Sequence, residues 1–378
     1  MNNNKRSIMN NFKKLGLTAL AGSLAAVSAQ AGEMSVSGSF NATYSTQSGN
    51  IGALNDSYDV SGATPSHGAG IGNDKDVTFS GSGELDNGFT FSGYTLMKDS
   101  FDVSSSSLTL SMGSLGSVST GSQTGGNSTK YDVQTPKAYE EVDDGGAMSL
   151  SANYVGSWAD NNSLVYASPS FDLGGDFSAV VHLEYTPEAS GSSPNDGGIQ
   201  SNATWDGGHS AGLTLSGMGL TVGLYGAERE SASQATGSTM TSDTFEGVYY
   251  VNYSMGPVSV GYSEFYMDAG VSGTAEATTA AKVLRTAAGI QEGHQIGIAF
   301  NVNDNLSISY TESEETYNAQ AGVGVTVADV DQKIDAIQVA YSMGGMSLKA
   351  YQMDVTNPSF DEDASDSKVT EIALGLAF

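Results

Sequence analysis

The 378-residue chain has no cysteine, only seven prolines, two tryptophans and few basic residues. Without cysteine there is no disulfide framework and no thiolate, which excludes a small stapled scaffold and thiol catalysis. Fourteen lysines and arginines stand against 42 aspartates and glutamates, a formal net charge of −28. Nucleic-acid binding needs a basic footprint, so that class of partner is excluded too. The four histidines, His67, His182, His209 and His294, show no metal-ligand spacing such as His-Glu-x-x-His. No Gly-x-Gly pattern opens a helix after a strand, which removes the nucleotide-site signal. Long hydrophobic runs are also missing. The one extended apolar stretch, Leu15 to Val27, has 13 residues, short of the ~20 that a spanning helix needs.

That stretch reads as the core of a secretory leader. Lys5, Arg6, Lys13 and Lys14 precede it, and Ala29-Gln30-Ala31 follows with small-x-small spacing, which predicts cleavage after Ala31. All the acidic residues lie beyond that point. The mature chain, 32–378, would keep 10 basic residues against 42 acidic ones, a formal net charge of −32. Such a chain attracts cations and keeps its surface solvated.

What the chain has is glycine (48 residues), serine and threonine, with apolar side chains at every second position. The final segment carries Thr370, Ile372, Leu374, Leu376 and Phe378 on one parity and Val369, Glu371, Ala373, Gly375 and Ala377 on the other. Only a strand sorts them so. The segment 34–45 has the same form, with Met34, Val36, Phe40, Ala42 and Tyr44 opposed to Ser35, Ser37, Ser39, Asn41 and Thr43. Between these lie seven predicted hairpins. Their strands are 74–85 with 89–98, 105–112 with 117–123, 163–171 with 177–186, 209–216 with 220–230, 244–254 with 258–268, 292–302 with 306–316, and 333–343 with 346–355. Asp86-Asn87-Gly88 is the plainest turn signal, because Asn-Gly accepts positive φ. With 34–45 and 368–378 the count is 16, an even number, as a closed bacterial barrel has.

A soluble β-sandwich, such as a surface or adhesion protein, also alternates. Two features favour a transmembrane antiparallel β-barrel. The inner parity is Ser, Thr, Gly, Asn and Gln, which suits a wet lumen and not a packed core. Short turns also alternate with longer connections, which sorts the two kinds to opposite ends. Closed barrels are the sheets that can cross a bilayer. Tyr44, Tyr185, Tyr253, Tyr310 and Tyr341 fall on the apolar parity, as interfacial girdles do. A dry core is not expected. The strands within 89–123 are poor in large apolar residues and are expected to face another copy of the chain.

One connection is out of scale. Residues 124–162 include Thr129-Lys130-Tyr131-Asp132 and Pro136-Lys137-Ala138-Tyr139-Glu140-Glu141-Val142-Asp143-Asp144. A connection this long is functional or disordered, and its aromatic residues give it something to pack with. It follows the fifth strand and is therefore the third outer loop.

The leader, the Gly32-Glu33-Met34 start, the 16 strands, the long third loop and the terminal Phe378 resemble the general diffusion porins of Gram-negative bacteria, in particular the trimeric alphaproteobacterial type. The resemblance covers 32–378 and rests on architecture more than on a short motif. It implies a homotrimer in the outer membrane, in contact with lipid and lipopolysaccharide, that passes small hydrophilic solutes. It implies that the third loop folds into the lumen and sets acidic residues against basic ones. Here the acidic side would be Glu140, Glu141, Asp143 and Asp144, with Asp132. The basic side would be Lys349, Arg229, Lys98 and Lys75, a sparser set than the family's arginine cluster. Lys349 is the clearest lumen residue, being opposite in parity to Leu348 and Ala350. A lipid-facing lysine at mid-strand would cost ~2–4 kcal/mol. The resemblance also makes Phe378 the signal read by the barrel-assembly machinery.

Few cations and many carboxylates predict a weak cation preference. No cofactor is expected. Asp329, Asp331, Asp361 and Asp363 in the outer loops are hard oxygen ligands, candidates for Ca²⁺ or Mg²⁺, without EF-hand spacing. No enzymatic function is expected. The rival functional reading is a substrate-selective channel of the same architecture.

Overall fold

The computed structural model describes residues 32, 34–49, 68–99, 102–122, 124–142, 155–159, 163–187, 205–231, 243–268, 270, 278–279, 282–283, 290–318, 329–360 and 365–378. Over these residues the chain is a closed antiparallel barrel of 16 strands. In chain order they are β1 (Met34–Ser48), β2 (Gly68–Glu84), β3 (Thr90–Lys98), β4 (Asp102–Ser111), β5 (Ser117–Ser122), β6 in two pieces (Leu164–Ala167 and Phe171–Gly174), β7 (Phe177–Thr186) and β8 (Trp205–Gly217). Then come β9 (Leu220–Ser231), β10 (Thr244–Met255), β11 (Val258–Asp268), β12 (Ile290–Asn303), β13 (Leu306–Asn318), β14 (Val330–Met343), β15 (Met346–Thr356) and β16 (Ser367–Ala377). Each strand pairs with the next, and β1 pairs with both β2 and β16, so the sheet has no open edge. At the seam Phe378 donates its N–H to the Gly38 carbonyl at 3.0 Å and accepts from the Gly38 N–H at 2.9 Å. Among the described residues the helical pieces are single 3₁₀ turns.

All seven expected hairpins form. Gly88 takes φ +80° in the first turn, and Asn87 Oδ1 accepts the Phe89 N–H at 3.1 Å. The expected strand 163–171 is broken around Pro169, which lacks an N–H for the ladder. Both pieces still pair with β7, and Ser168 Oγ accepts the Val181 N–H at 2.9 Å. Several strands start earlier than the apolar pattern implied; β2, expected from 74, begins at Gly68. Backbone pairing continues past the point where alternating apolar side chains stop.

Register assigns the faces. Phe40, Ala42 and Tyr44 pair with Leu376, Leu374 and Ile372, and this parity is exposed on the outside. Ile296, Ile298 and Phe300 on β12, Ile308 on β13, and Ile337 and Val339 on β14 continue the outer apolar band. Toward the long-loop ends the same face turns polar. There Lys333 Nζ lies 3.0 Å from Glu312 and Lys368 Nζ lies 2.8 Å from Asp354. Asp331 sits on this face and accepts from the Thr316 hydroxyl at 2.7 Å.

The interior departs from the expectation of no dry core. Tyr131, Val133, Val155 and Trp158 pack with Tyr225, Val248, Tyr250 and Phe265 in one buried cluster. Val142 packs with Ile334, Ala336, Tyr351, Met353, Val355 and Val369 in a second. Both lie inside the barrel, where the third loop covers inward-facing apolar side chains.

Candidate functional site

The loop enters the barrel at residues 124–131. Ser128–Lys130 forms a 3₁₀ turn, with the Ser128 hydroxyl donating to the Gly125 carbonyl at 2.7 Å. Glu184 on β7 accepts the Asn127 N–H at 3.3 Å and the Ser210 hydroxyl at 2.9 Å. Lys130 Nζ donates to the Gly126 carbonyl at 3.1 Å. Burial lowers the Lys130 ammonium pKa, against the attraction of Glu184 and Asp132. Tyr131 is fully buried. Its phenol, pushed up to about 12 by burial, pairs with His182 Nδ1 at 2.5 Å and stacks on Tyr225, centroids 5.3 Å apart. The far end of the loop is held in the same way: Gly156 N–H donates to Glu246 on β10.

Between these roots the loop runs along the inner wall. Asn252 on β10 donates to the Gln134 carbonyl at 2.6 Å. Ala138 N–H donates to Ser309 Oγ on β13 at 2.9 Å. Tyr139 N–H donates to Gln338 Oε1 on β14 at 2.7 Å, and Gln338 Nε2 returns to the Glu140 carbonyl at 2.7 Å. The Tyr139 hydroxyl donates to Glu371 on β16 at 2.8 Å. Burial first, then Glu371, raises the Tyr139 pKa, which keeps it a donor. Lys349 Nζ lies 4.8 Å from the centre of the Tyr139 ring.

Glycines on the wall make room for this path. A Cβ at Gly212 would stand 2.4 Å from the Tyr131 ring, and one at Gly297 would stand 2.8 Å from the Pro136 carbonyl oxygen. Neither gap is compatible with a side chain. The Tyr131 ring and the Pro136 backbone therefore lie closer to the wall than a side chain at either position would permit.

The residues named from the sequence now have places. Lys349 faces the lumen, paired in register with Ala340 and Ala373. Arg229 faces it from β9, attracted by Glu246. Lys98 faces it from β3, paired in register with Asp76. Lys75 does not. It pairs with Phe40 and shares that residue's outward parity, so its assignment to the pore is corrected. Ile71, Val77 and Phe79 share the parity of Lys75, whereas Asp74, Asp76, Thr78 and Ser80 take the other, so the alternation of the strand itself points Lys75 outward.

On the loop, Glu141 pairs with Lys137, and Asp132 Oδ1 accepts the Val133 N–H at 2.8 Å. Asp143 and Asp144 lie outside the described residues, as do Asp361 and Asp363. Asp329 is exposed at the start of β14, and no group of three His, Asp or Glu among the described residues is placed to hold a metal ion. The wall contacts Glu184, Glu246, Gln338, Ser309 and Glu371 were not foreseen. Their one signal was a polar or acidic residue on the inner parity of a strand.

A family model described as Gram-negative porin matches residues 16–375. Among solved structures, the trimer form of OmpT, an outer membrane protein of Vibrio cholerae, has 14% identity and a TM-score of 0.57, over 92% of this chain and 100% of that one. Salmonella typhi OmpF, solved with daunomycin, has 11% identity and a TM-score of 0.60, over 92% and 98%. An anion-selective porin from Comamonas acidovorans has 12% identity and a TM-score of 0.58, over 92% and 100%. At these identities the likeness is one of fold. No curated protein matches the sequence.

Proposed function

Since this chain belongs to the Gram-negative porin family and forms an outer-membrane channel for passive diffusion, we propose that segment 124–162 is its constriction and that the pore prefers cations. One observation carries this reading: the described strand cations of the lumen each stand beside an acid or an aromatic. Lys98 is in register with Asp76, Arg229 is attracted by Glu246, and Lys349 lies over Tyr139, itself bonded to Glu371. Asp74, Asp132 and Glu140 add negative charge, and Asp143 and Asp144 extend the same acidic run. A carboxylate-rich constriction raises the local cation concentration and opposes anions. The test is the reversal potential of the reconstituted protein across a KCl gradient. A cation-selective sign is expected, and an anion-selective sign overturns the assignment.

The same reading extends to partners. The outward Lys75, near the middle of β2, supports a homotrimer in which β1–β4 are covered by protein, because facing hydrocarbon would cost ~2–4 kcal/mol. Residues 1–31 are the leader, and Phe378 is the signal for the barrel-assembly machinery. The outer-loop aspartates Asp329, Asp331, Asp361 and Asp363 keep the outer mouth solvated by mutual repulsion, with divalent bridging to lipopolysaccharide through Ca²⁺ or Mg²⁺ the lesser role. No cofactor takes part in transport and no catalysis occurs. In support, His182 lies under the loop bonded to Tyr131, whereas His209 faces outward, 3.8 Å from Glu228.

A further inference from the structure

Among the described residues, the loop's contacts run to the wall from β7 through to β16, and none is made to the inner face of β2–β4 around Tyr94. That face holds a recess of about 540 Å³, within the ~300–1,000 Å³ of small-molecule sites. The register sets its side chains in two rows across the strands: Ser80, Tyr94 and Ser107, then Ser82, Ser92 and Thr109. Rows on neighbouring strands stand ~4.8 Å apart, a lattice of neutral groups that both donate and accept. Tyr94 differs from the tyrosines packed where the loop meets the wall. Tyr131, Tyr225, Tyr250 and Tyr351 are at most 7% exposed, whereas Tyr94 is 36% exposed in the recess. An aromatic face left bare beside a hydroxyl lattice matches a solute with hydroxyls on its edge and C–H groups on its face.

We propose that this recess is a transit subsite for neutral polyhydroxyl solutes, small sugars or polyols. The proposal rests on the channel reading and deepens it by naming a solute class. Asp74 and Asp76 stand on the same face of β2 toward the outer mouth; Asp76 is in register with Lys98, which leaves Asp74 to turn away phosphorylated or acidic analogues. With no fixed charge in the recess the hold is weak, as conduction requires, since a solute must also leave.

The experiment uses the full-length protein in planar bilayers. Sucrose is titrated against a polyethylene glycol of the same hydrodynamic size, and block is expressed as a fraction of each variant's own open current. Sucrose is expected to give a saturable block, and the glycol a reduction that stays linear. Tyr94→Ala is expected to raise the half-blocking sucrose concentration about two- to tenfold, the range for loss of one aromatic contact, while Tyr94→Phe keeps it within twofold of the parent. Ser92→Val, in the second row, is expected to raise it as well and gives an independent reading where Tyr94→Ala does not insert. Linear, identical curves for sucrose and the glycol overturn the subsite, and so does unchanged block in both Tyr94→Ala and Ser92→Val. A protein that folds and inserts but carries no current overturns the channel reading instead.

Discussion

At Tyr139 one loop side chain meets the barrel three ways. Its hydroxyl bonds to Glu371, its ring lies under Lys349, and it tilts against Tyr351 with centroids 5.6 Å apart. A hydrogen bond to a charged acceptor contributes ~1.5–3 kcal/mol, and a cation over an aromatic face ~0.5–2 kcal/mol. Tyr139→Phe keeps the ring and removes only the bond. Single-channel records of this variant are expected to show more open-state noise and a modestly lower denaturation midpoint. Records indistinguishable from the parent would show that Glu371 does not hold the loop. Lys349 illustrates a second point of this scale. Its inward direction follows from the energy of exposing a lysine to hydrocarbon, and parity alone placed it correctly. The pore assignment of Lys75 rests on the resemblance and not on parity; sharing the parity of Val77 and Phe79, Lys75 faces outward.

The loop is a different kind of element from the strands. The described strands pair with their neighbours around the closed sheet, as a bilayer demands. The loop satisfies its backbone with side chains of the wall, among them Glu184, Glu246, Gln338 and Ser309. It also seals two apolar clusters that would otherwise face water. Each large side chain taken out of water contributes ~1.5–3 kcal/mol, so these contacts together hold the described part of the loop against the wall. Deleting 130–142 is expected to raise single-channel conductance and to expose Tyr225, Tyr250, Ile334 and Met353 to the lumen. Unchanged conductance in a folded deletion variant would mean that the loop does not limit the pore.

For the whole molecule the decisive contact is closure. β1 is held by β2 on one side and β16 on the other, and Phe378 completes the seam through its two backbone bonds to Gly38. Its side chain, 80% exposed on the outer face, contributes little to the lumen. Removing Phe378 is therefore expected to reduce the yield of heat-modifiable folded protein in the outer membrane while leaving the unit conductance of inserted channels unchanged. A normal yield would remove the role assigned to this residue. The outer face is not uniform around the barrel. β10–β14 carry a continuous apolar band topped by charged and tyrosine residues, whereas on β2 the outward row that holds Ile71 and Phe79 is interrupted by Asn73 and Lys75. That asymmetry is what a barrel with both lipid and protein neighbours requires.

The strands, their number and their pairing order were legible from the sequence by itself. Period-two alternation and turn chemistry are local, so Ile296-Gly297-Ile298 or Asn87-Gly88 carries its meaning within a few residues. Strand ends were less legible, because β2 continues as a ladder of glycine and polar residues that no longer signal a face. The long loop announced itself by length and aromatic content, and its acidic run was visible. Its route was decided only by the tertiary structure. Tyr131 finds His182 and Tyr225, and Tyr139 finds Glu371, across sequence separations that no local pattern encodes. The glycines at 212 and 297 mean nothing as letters until a ring and a carbonyl lie against them. The dry half of the lumen came from the same source. Apolar inward residues such as Ile334 and Met353 contradict a wet barrel until the loop covers them, and only the closed sheet brings that cover within reach.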